Sequence, residues 1–138
     1  MTHFVLDAST VLTWCFPDEE SQRTEQVAER IAGGERAMVP PFWFHEILNA
    51  LLVGERRKRL TRPLTEEFLD DLARLPLDLD PVGTPAKVFG TTQTLCRKHG
   101  LTSYDAAYLE IALRGSCAIA TVDDDLRRAA IAEGVPVI

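Results

Sequence analysis

The sequence predicts an α/β protein, a three-layer α/β/α sandwich with a central parallel, Rossmann-like sheet. Short apolar segments at 3–6, 37–39, 77–79, 117–120 and 135–138 alternate with segments of helical periodicity along the whole chain. Such alternation is typical of parallel sheets that helices cover on both faces. Because no repeat, linker or low-complexity segment interrupts the pattern, we expect residues 1–138 to form a single domain.

The composition is that of an ordinary globular domain with an acidic balance. The chain is 46% hydrophobic and 26% charged, with 21 acidic against 15 basic residues and a net charge of −6. This balance argues against direct wrapping of duplex DNA and is compatible with cation binding. We find neither a signal peptide nor an apolar run that could span a membrane, and the three cysteines lack C-x-x-C spacing. We therefore expect a cytoplasmic protein with reduced cysteines.

Seven helices are expected between the strands, from the spacing of apolar residues and from capping residues. They begin, in chain order, near Ser9, Ser21, Phe42, Thr65, Thr84, Thr102 or Ser103, and Asp123 or Asp124. Proline, glycine or a basic last turn is expected to end them, at Pro17, Gly33-Gly34, Arg59, Gly100, Arg114 and Gly134.

Three of these helices carry more detailed predictions. The first three turns after Phe42 are apolar on nearly every side, so we expect them to be buried. Leu64 is expected to pack on Leu69 in a hydrophobic staple. The helix that begins at Thr84 is expected to bury one face, consisting of Val88, Phe89, Thr92, Leu95 and Cys96.

Two acids stand where the predicted fold makes them conspicuous. Asp7 directly follows the buried strand at 3–6, and ligands of open α/β sheets bind at that edge. Glu46 is the only acid between Phe42 and Gly54, and a lone carboxylate in an apolar helix must be paired or bind a metal. Plainer explanations stay open: an N-cap for Asp7, and a buried ion pair with an arginine for Glu46.

Two further acids lie at the starts of later helices. Asp105 shares an inward-facing stripe with Tyr108, whereas Glu110 and Arg114 are expected on the solvated face. Asp123 comes two residues after the strand at 117–121. Each acid could instead cap its helix or complement the helix dipole.

These carboxylates together predict a metal site. All four are expected at one edge of the sheet: Asp7, Glu46, Asp105 and Asp123. Crowded carboxylates repel unless a cation neutralises them, and hard oxygen ligands favour Mg²⁺ or Mn²⁺. Two such ions about 4 Å apart stabilise the attacking and leaving oxygens in phosphodiester cleavage. Asp125 could reach the same site, and Ser9 and Thr121 could support it or could be plain helix caps.

Four segments, in this order, resemble the motifs of PIN-domain ribonucleases, in particular the VapC-type toxins of bacterial toxin–antitoxin pairs. They are V-L-D-A-S at 5–9, P-F-W-F-H-E-I-L-N-A-L at 41–51, L-T-S-Y-D-A-A-Y-L-E-I-A-L at 101–113 and A-T-V-D at 120–123. Each segment alone is unspecific, but all four in order, with G-V-P-V-I at 134–138, are quite specific.

The resemblance implies an α/β/α sandwich, often a homodimer, with Mg²⁺- or Mn²⁺-dependent endoribonuclease activity. By motif, the metal-binding catalytic acids would be Asp7, Glu46, Asp105 and Asp123, with Ser9 and Thr121 as supporting polar residues. The motif match does not require Asp125. The resemblance also implies an antitoxin that blocks the active-site groove and joins the toxin in binding operator DNA.

Several residues and function classes have plainer interpretations. We interpret the basic run at 56–59 as a solvated helix end rather than a track for RNA phosphates. We interpret His45 and His99 as structural residues. A phospho-accepting receiver domain would need paired acids after the first strand and a lysine after the last, and the chain has neither. A non-catalytic binding module and a small-molecule phosphatase stay open, and RNA turnover would distinguish them from a nuclease.

Overall fold

The structure is a computed structural model that describes residues 3–16, 18, 22–81 and 83–138. Its strands are β1 (His3–Leu6), β2 (Arg36–Val39), β3 (Leu77–Leu79) and β4 (Ala118–Ala120). Its α-helices are α1 (Ala8–Cys15), α2 (Gln22–Ala32), α3 (Trp43–Arg56), α4 (Arg62–Leu72), α5 (Gln93–His99), α6 (Ser103–Gly115) and α7 (Asp124–Ala132). A π-helical segment, Lys87–Thr92, leads into α5. The predictions for Pro17 and Ser21 lie outside the described residues.

The sheet confirms the predicted central parallel sheet of an α/β/α sandwich. Its strand order is β3-β2-β1-β4, and every neighbouring pair is parallel. β1 therefore lies between β2 and β4. From β1 the chain adds β2 and β3 on one side and then returns to add β4 on the other side. In such folds this reversal leaves a crevice at the carboxyl ends of the two strands.

The predicted fifth strand, 135–138, is reduced to one bridge between Val137 and Ile119. Ile119 donates to the carbonyl of Pro136 at 2.9 Å, and Ile138 donates to the carbonyl of Ile119 at 3.0 Å. The ladder does not extend towards Val135, because Pro136 has no N–H and the amide of Val135 donates to Ala130 at the end of α7.

The core surrounds β1 and one face of α3. Phe4, Val5 and Leu6 are fully buried, as expected for a strand that helices cover on both sides. The prediction that α3 is buried on nearly every side was wrong. Trp43, Ile47, Leu51 and Gly54 face the core, but Phe44, Leu48 and Leu52 form an exposed apolar stripe at four-residue spacing.

The start of α4 also differs from the prediction. Thr61, not Thr65, is the N-cap residue, and Pro63 lies in the first turn. Thr65 is buried inside the helix, where its hydroxyl donates to the carbonyl of Thr61 at 3.2 Å. Because the helix begins four residues earlier, Leu64 and Leu69 do not occupy the staple positions, and Leu64 is exposed.

The helix after Thr84 buries only part of its predicted face. Thr92 and Leu95 are buried, but Val88 is 37% and Phe89 is 72% exposed. The π-helical turn at Lys87–Thr92 explains the error, because its wider turn shifts the angular phase of the residues before it.

Glu110, which was predicted to be solvated, is buried in an ion cluster. Arg114 donates to Glu110 at 2.9 Å and to Asp80 at 2.8 Å, and both carboxylates are almost inaccessible to solvent. Paired and hydrogen-bonded charges can be buried where a single charge cannot. The cluster ties α6 to the chain that follows β3.

Several helices end in a turn with a residue at positive φ. Gly34, Gly100 and Gly134 occupy this position after α2, α5 and α7, as their sequence positions indicate. After α3 the position belongs to Lys58, at φ 60°. The amides of Lys58 and Arg59 donate to Glu55 and Gly54 at 3.0 and 2.8 Å, the Schellman pattern. The basic run at 56–59 is therefore a capping turn rather than a last helical turn.

Within the described ranges, no helix is both long enough and apolar enough to cross a membrane. Cys15, Cys96 and Cys117 are all free.

Lys58→Gly should raise the free energy of unfolding by about 1 kcal/mol, because glycine reaches positive φ without the steric cost of a Cβ. Urea denaturation measures the change. Lys58→Ala is the control, since it removes the same charge and keeps the Cβ, and it should give no gain. Equal gains from both variants would assign the effect to charge rather than to backbone conformation.

Candidate active site

The candidate site lies at the carboxyl edge of the sheet, where β1 and β4 end side by side. Asp7 follows β1, and its amide donates to the carbonyl of Ala120 at 3.0 Å. Thr121 and Asp123 follow β4. The first and last of the predicted acids therefore lie on either side of the crevice at which the strand order reverses.

The carboxylate of Asp7 is held by two hydroxyl groups. Ser9 and Thr121 each donate to its Oδ2 at 2.6 Å. Each hydroxyl oxygen in turn accepts a backbone amide, from Val122 at 3.2 Å and from Asp123 at 3.0 Å. Asp7 also occupies the N-cap position of α1, but the two hydroxyl groups rather than a capping amide are the main partners of its carboxylate.

Burial dominates the electrostatics of Asp7, which is only 4% exposed. Desolvation raises the pKa of this carboxyl, the hydrogen bonds from Ser9 and Thr121 oppose the rise, and the charge of Asp123 adds to it. A cation close to this buried carboxylate would stabilise its ionised form.

Glu46 is paired with a tyrosine and not with an arginine. The hydroxyl of Tyr108 donates to Glu46 Oε1 at 2.6 Å, across 62 residues of sequence. Burial raises the pKa of Glu46, the hydrogen bond from Tyr108 lowers it, and the charges of Asp7 and Asp105 raise it further. Among the described residues no cation pairs with Glu46, so the alternative of a buried ion pair with an arginine was wrong.

Asp105 lies in the first turn of α6, which Thr102 caps by accepting the amide of Asp105 at 3.2 Å. Burial, followed by the charges of Asp123 and Asp7, raises the pKa of Asp105 to about 6, against the opposing hydrogen bond to Thr102. An acid that only complemented the helix dipole would show the reverse shift.

Asp123 does cap a helix, as the plainer explanation proposed. Its Oδ1 accepts the amide of Leu126 at 2.8 Å at the start of α7. Its charge nevertheless acts on both Asp7 and Asp105. Asp125 is different, because its side chain is 69% exposed and forms an ion pair with Arg128.

The four acids share one edge and repel one another, but they do not form a tight cage. Within the part of the chain that the structure describes, no three Asp, Glu, His or Cys side chains are close enough to hold one metal ion. The donors are all oxygens, and Mg²⁺ commonly keeps several waters and uses only one or two carboxylates plus substrate phosphates. The donor chemistry therefore fits a hydrated Mg²⁺ or Mn²⁺ ion.

The sequence pattern of the PIN domain family matches residues 4–132. The chain belongs to the PIN domain family. The chain is also 29% identical over 122 residues to Ribonuclease VapC3 of Pyrobaculum aerophilum, covering 88% of this chain and 90% of that protein. The resemblance to VapC-type PIN ribonucleases is thus confirmed.

Two solved structures share the PIN fold. PAE2754 from Pyrobaculum aerophilum superposes with a TM-score of 0.71 at 20% identity, over 99% of this chain and 83% of that chain. VapBC2 from Rickettsia felis, bound to a DNA fragment from their promoter, superposes with a TM-score of 0.67 at 11% identity, over 99% and 98%.

A groove beside the acids of this PIN domain was not foreseen. It encloses about 1060 Å³ and extends from Ser9 and Val122, next to Asp7, to the region beyond the end of α3. Three of its lining residues are cationic: Arg23, Arg57 and Arg59. Sequence spacing placed the basic run far from Glu46 along α3. It could not show that Arg57 and Arg59 border a groove that Ser9, a hydrogen-bond partner of Asp7, also lines.

The sequence places Tyr108 on the inward-facing stripe of α6 that includes Asp105, but it does not predict the hydrogen bond from Tyr108 to Glu46. The available signal was its place three residues after Asp105, which puts both on one face of α6. Its partner on α3 could be identified only from the tertiary structure.

Asp105→Asn should stabilise the metal-free protein. The pKa of Asp105 rises from 3.8 to about 6 on folding, so its contribution to stability is present below about pH 4 and is lost as the pH rises to about 6. After allowance for solvent screening, we expect asparagine to raise the free energy of unfolding at pH 7 by about 1–2 kcal/mol.

Denaturation in EDTA across this pH range measures the effect. Asp105→Asn should flatten the pH dependence between about pH 4 and 6, whereas Asp124→Asn, at an exposed neighbouring acid, should not. A pH dependence that survives in Asp105→Asn would mean that this carboxyl is not the destabilising group.

Proposed function

We propose that this PIN domain is a Mg²⁺- or Mn²⁺-dependent endoribonuclease that hydrolyses RNA phosphodiester bonds. We further propose that it is the cytoplasmic toxin of a type II toxin–antitoxin pair. The observation that carries the proposal is the set of four mutually repelling acids at the reversal point of a PIN-domain sheet. The similarity to Ribonuclease VapC3 supports RNA as the substrate.

Each polar residue has a defined part in this proposal. Asp7, Glu46, Asp105 and Asp123 would hold the cation, and Ser9 and Thr121 would fix the carboxylate of Asp7. When bound, the cation would supply the Lewis acidity and the water activation that phosphodiester hydrolysis requires. Asp125 would need to leave its ion pair with Arg128 to take part.

The groove supports a polyanionic substrate. It starts beside Asp7 and carries arginines in a chain whose net charge is −6. Phosphate groups along a single strand would contact these arginines while one phosphodiester reaches the acids. Arg59 also stacks over Phe16 and pairs with Asp18, so the proposal assigns the phosphate contacts chiefly to Arg23 and Arg57.

The proposed partners are a cognate antitoxin, a second copy of the chain, and operator DNA through the antitoxin complex. The Rickettsia felis VapBC2 structure with promoter DNA supports the antitoxin and the DNA. Exposed apolar side chains support protein partners. They occur on α3 (Phe44, Leu48 and Leu52) and in a patch beside and at the start of α6 (Val88 and Phe89 in the π-helical segment, Tyr104 on α6).

Asp7→Asn and Asp105→Asn should each reduce RNA cleavage by at least about 100-fold, because each would remove a cation ligand. A fluorogenic RNA measures the rate, EDTA should stop the reaction, and added Mn²⁺ should restore it. Asp124→Asn is the control for a lost surface charge. Full activity of both variants, or cleavage that persists in EDTA, would contradict the nuclease mechanism.

The same assays distinguish the other function classes. Hydrolysis of a generic phosphomonoester without RNA cleavage would indicate a phosphatase, and metal binding without turnover would indicate a binding module.

Arg57→Ala should weaken RNA binding about threefold to tenfold and reduce the slope of log affinity against log salt by about 0.7, because one phosphate contact is lost. Fluorescence anisotropy with the inactive Asp7→Asn protein measures the affinity. Arg56→Ala is the matched control, since Arg56 is adjacent and exposed but does not line the groove. Equal losses from both variants would indicate non-specific attraction instead of a track in the groove.

A further inference from the structure

Tyr108 joins three elements at the edge of the acid cluster. Its hydroxyl donates to Glu46 Oε1 on α3 at 2.6 Å and accepts the amide of Ala8, at the start of α1, at 3.4 Å. Tyr108 itself lies on α6 and is completely buried. A single phenol oxygen therefore links Glu46 to the residue that follows Asp7.

Packing alone does not account for a tyrosine at this position. The ring stacks edge-on against Phe42 at 5.7 Å, a contact that phenylalanine would make equally well. A buried hydroxyl costs free energy unless it is hydrogen-bonded, so its presence indicates a use for the bond. Burial, the charge of Asp7 and the bond to Glu46 raise the pKa of Tyr108, so the phenol stays a proton donor.

We propose that Tyr108 is the positioning residue for Glu46: its hydroxyl fixes Oε1 and leaves Oε2 as the oxygen available to a divalent cation. The role depends on the proposed function, because it concerns the same cation site.

A neutral donor suits this role better than a cationic one. An arginine or lysine at the same place would orient Glu46 but would also neutralise it and compete with the metal ion. The phenol orients the carboxylate and leaves its charge available. Through Ala8 it also sets Glu46 relative to Asp7, so two of the proposed ligands keep a defined separation. Partners of this kind around metal ligands are typically worth about 10- to 100-fold in metal affinity.

The chain contains a matched control. Tyr104 lies one turn earlier on α6, and its ring also stacks edge-on against Phe42, at 5.2 Å. It is 59% exposed and, in the described structure, does not bond to Glu46. Tyr104→Phe and Tyr108→Phe therefore remove the same atom from the same helix beside the same aromatic partner.

Mn²⁺ affinity, measured by calorimetry on the full chain, tests the role. Tyr108→Phe should weaken Mn²⁺ binding about tenfold or more, whereas Tyr104→Phe should change it less than about twofold. In a Glu46→Ala background, Tyr108→Phe should add less than about twofold, because its effect passes through Glu46. Denaturation in EDTA verifies that each variant is folded.

The outcomes separate this role from the proposed function. If the wild type binds Mn²⁺ and Tyr108→Phe binds it equally well, the positioning role is wrong and the nuclease proposal stands. If Tyr108→Phe weakens binding equally with and without Glu46, the tyrosine acts through the fold and the role is again wrong. If the wild type does not bind Mn²⁺ and cleaves RNA in EDTA, the proposed function itself fails.

A second measurement does not require a Tyr108 variant. The chain has two tyrosines, so Tyr104→Phe leaves Tyr108 as its sole tyrosine and allows 3-fluorotyrosine to report on it by fluorine NMR. The resonance should shift during Mg²⁺ titration with the dissociation constant of the metal and should not shift in Glu46→Ala. An unchanged resonance at saturating Mg²⁺ would overturn the role.

Discussion

The buried carboxylate of Asp7 is the constraint on which the rest of the site depends. It stands at the end of a strand that is inaccessible from either face, so water cannot solvate its charge. The chain compensates with two hydroxyl groups, one from α1 and one from the segment after β4, and backbone amides hold each hydroxyl in turn. The same hydrogen bonds that stabilise the buried charge of Asp7 also connect the segments that follow β1 and β4, on either side of the crevice.

The parallel topology explains how several acids can share this edge. Helices α1, α3 and α7 each follow a strand, so their amino ends point to the carboxyl edge, and α6 brings Asp105 to it as well. Helix amino ends carry partial positive charge, which offsets part of the negative charge of the acids. The offset is incomplete, since burial and mutual repulsion still raise the pKa values of Asp7, Glu46 and Asp105.

Local sequence signals were sufficient for the sheet and for the positions of the acids, but not for their partners. Alternating periodicity predicted five strands, of which four form the parallel sheet and the fifth is reduced to one bridge. Glycine positions predicted three helix ends. The bond from Tyr108 to Glu46 and the bond from Arg114 to Asp80 join residues that are 62 and 34 positions apart. No periodicity encodes such contacts. Lys58 was missed because glycine is the usual residue at positive φ, and the cap at Thr61 was missed because Thr65, four residues later, is also a threonine.

The π-helical segment before α5 has a consequence for how the surface of this protein could change. A π turn accommodates one residue more than an α turn of the same chain. A deletion of one residue between Lys87 and Thr92 would rotate the preceding side chains by about 100° and would turn Val88 and Phe89 away from their present exposed positions. The apolar patch beside α6 is therefore set by chain length as much as by amino-acid type, and an insertion or deletion could create or remove it in a single genetic event.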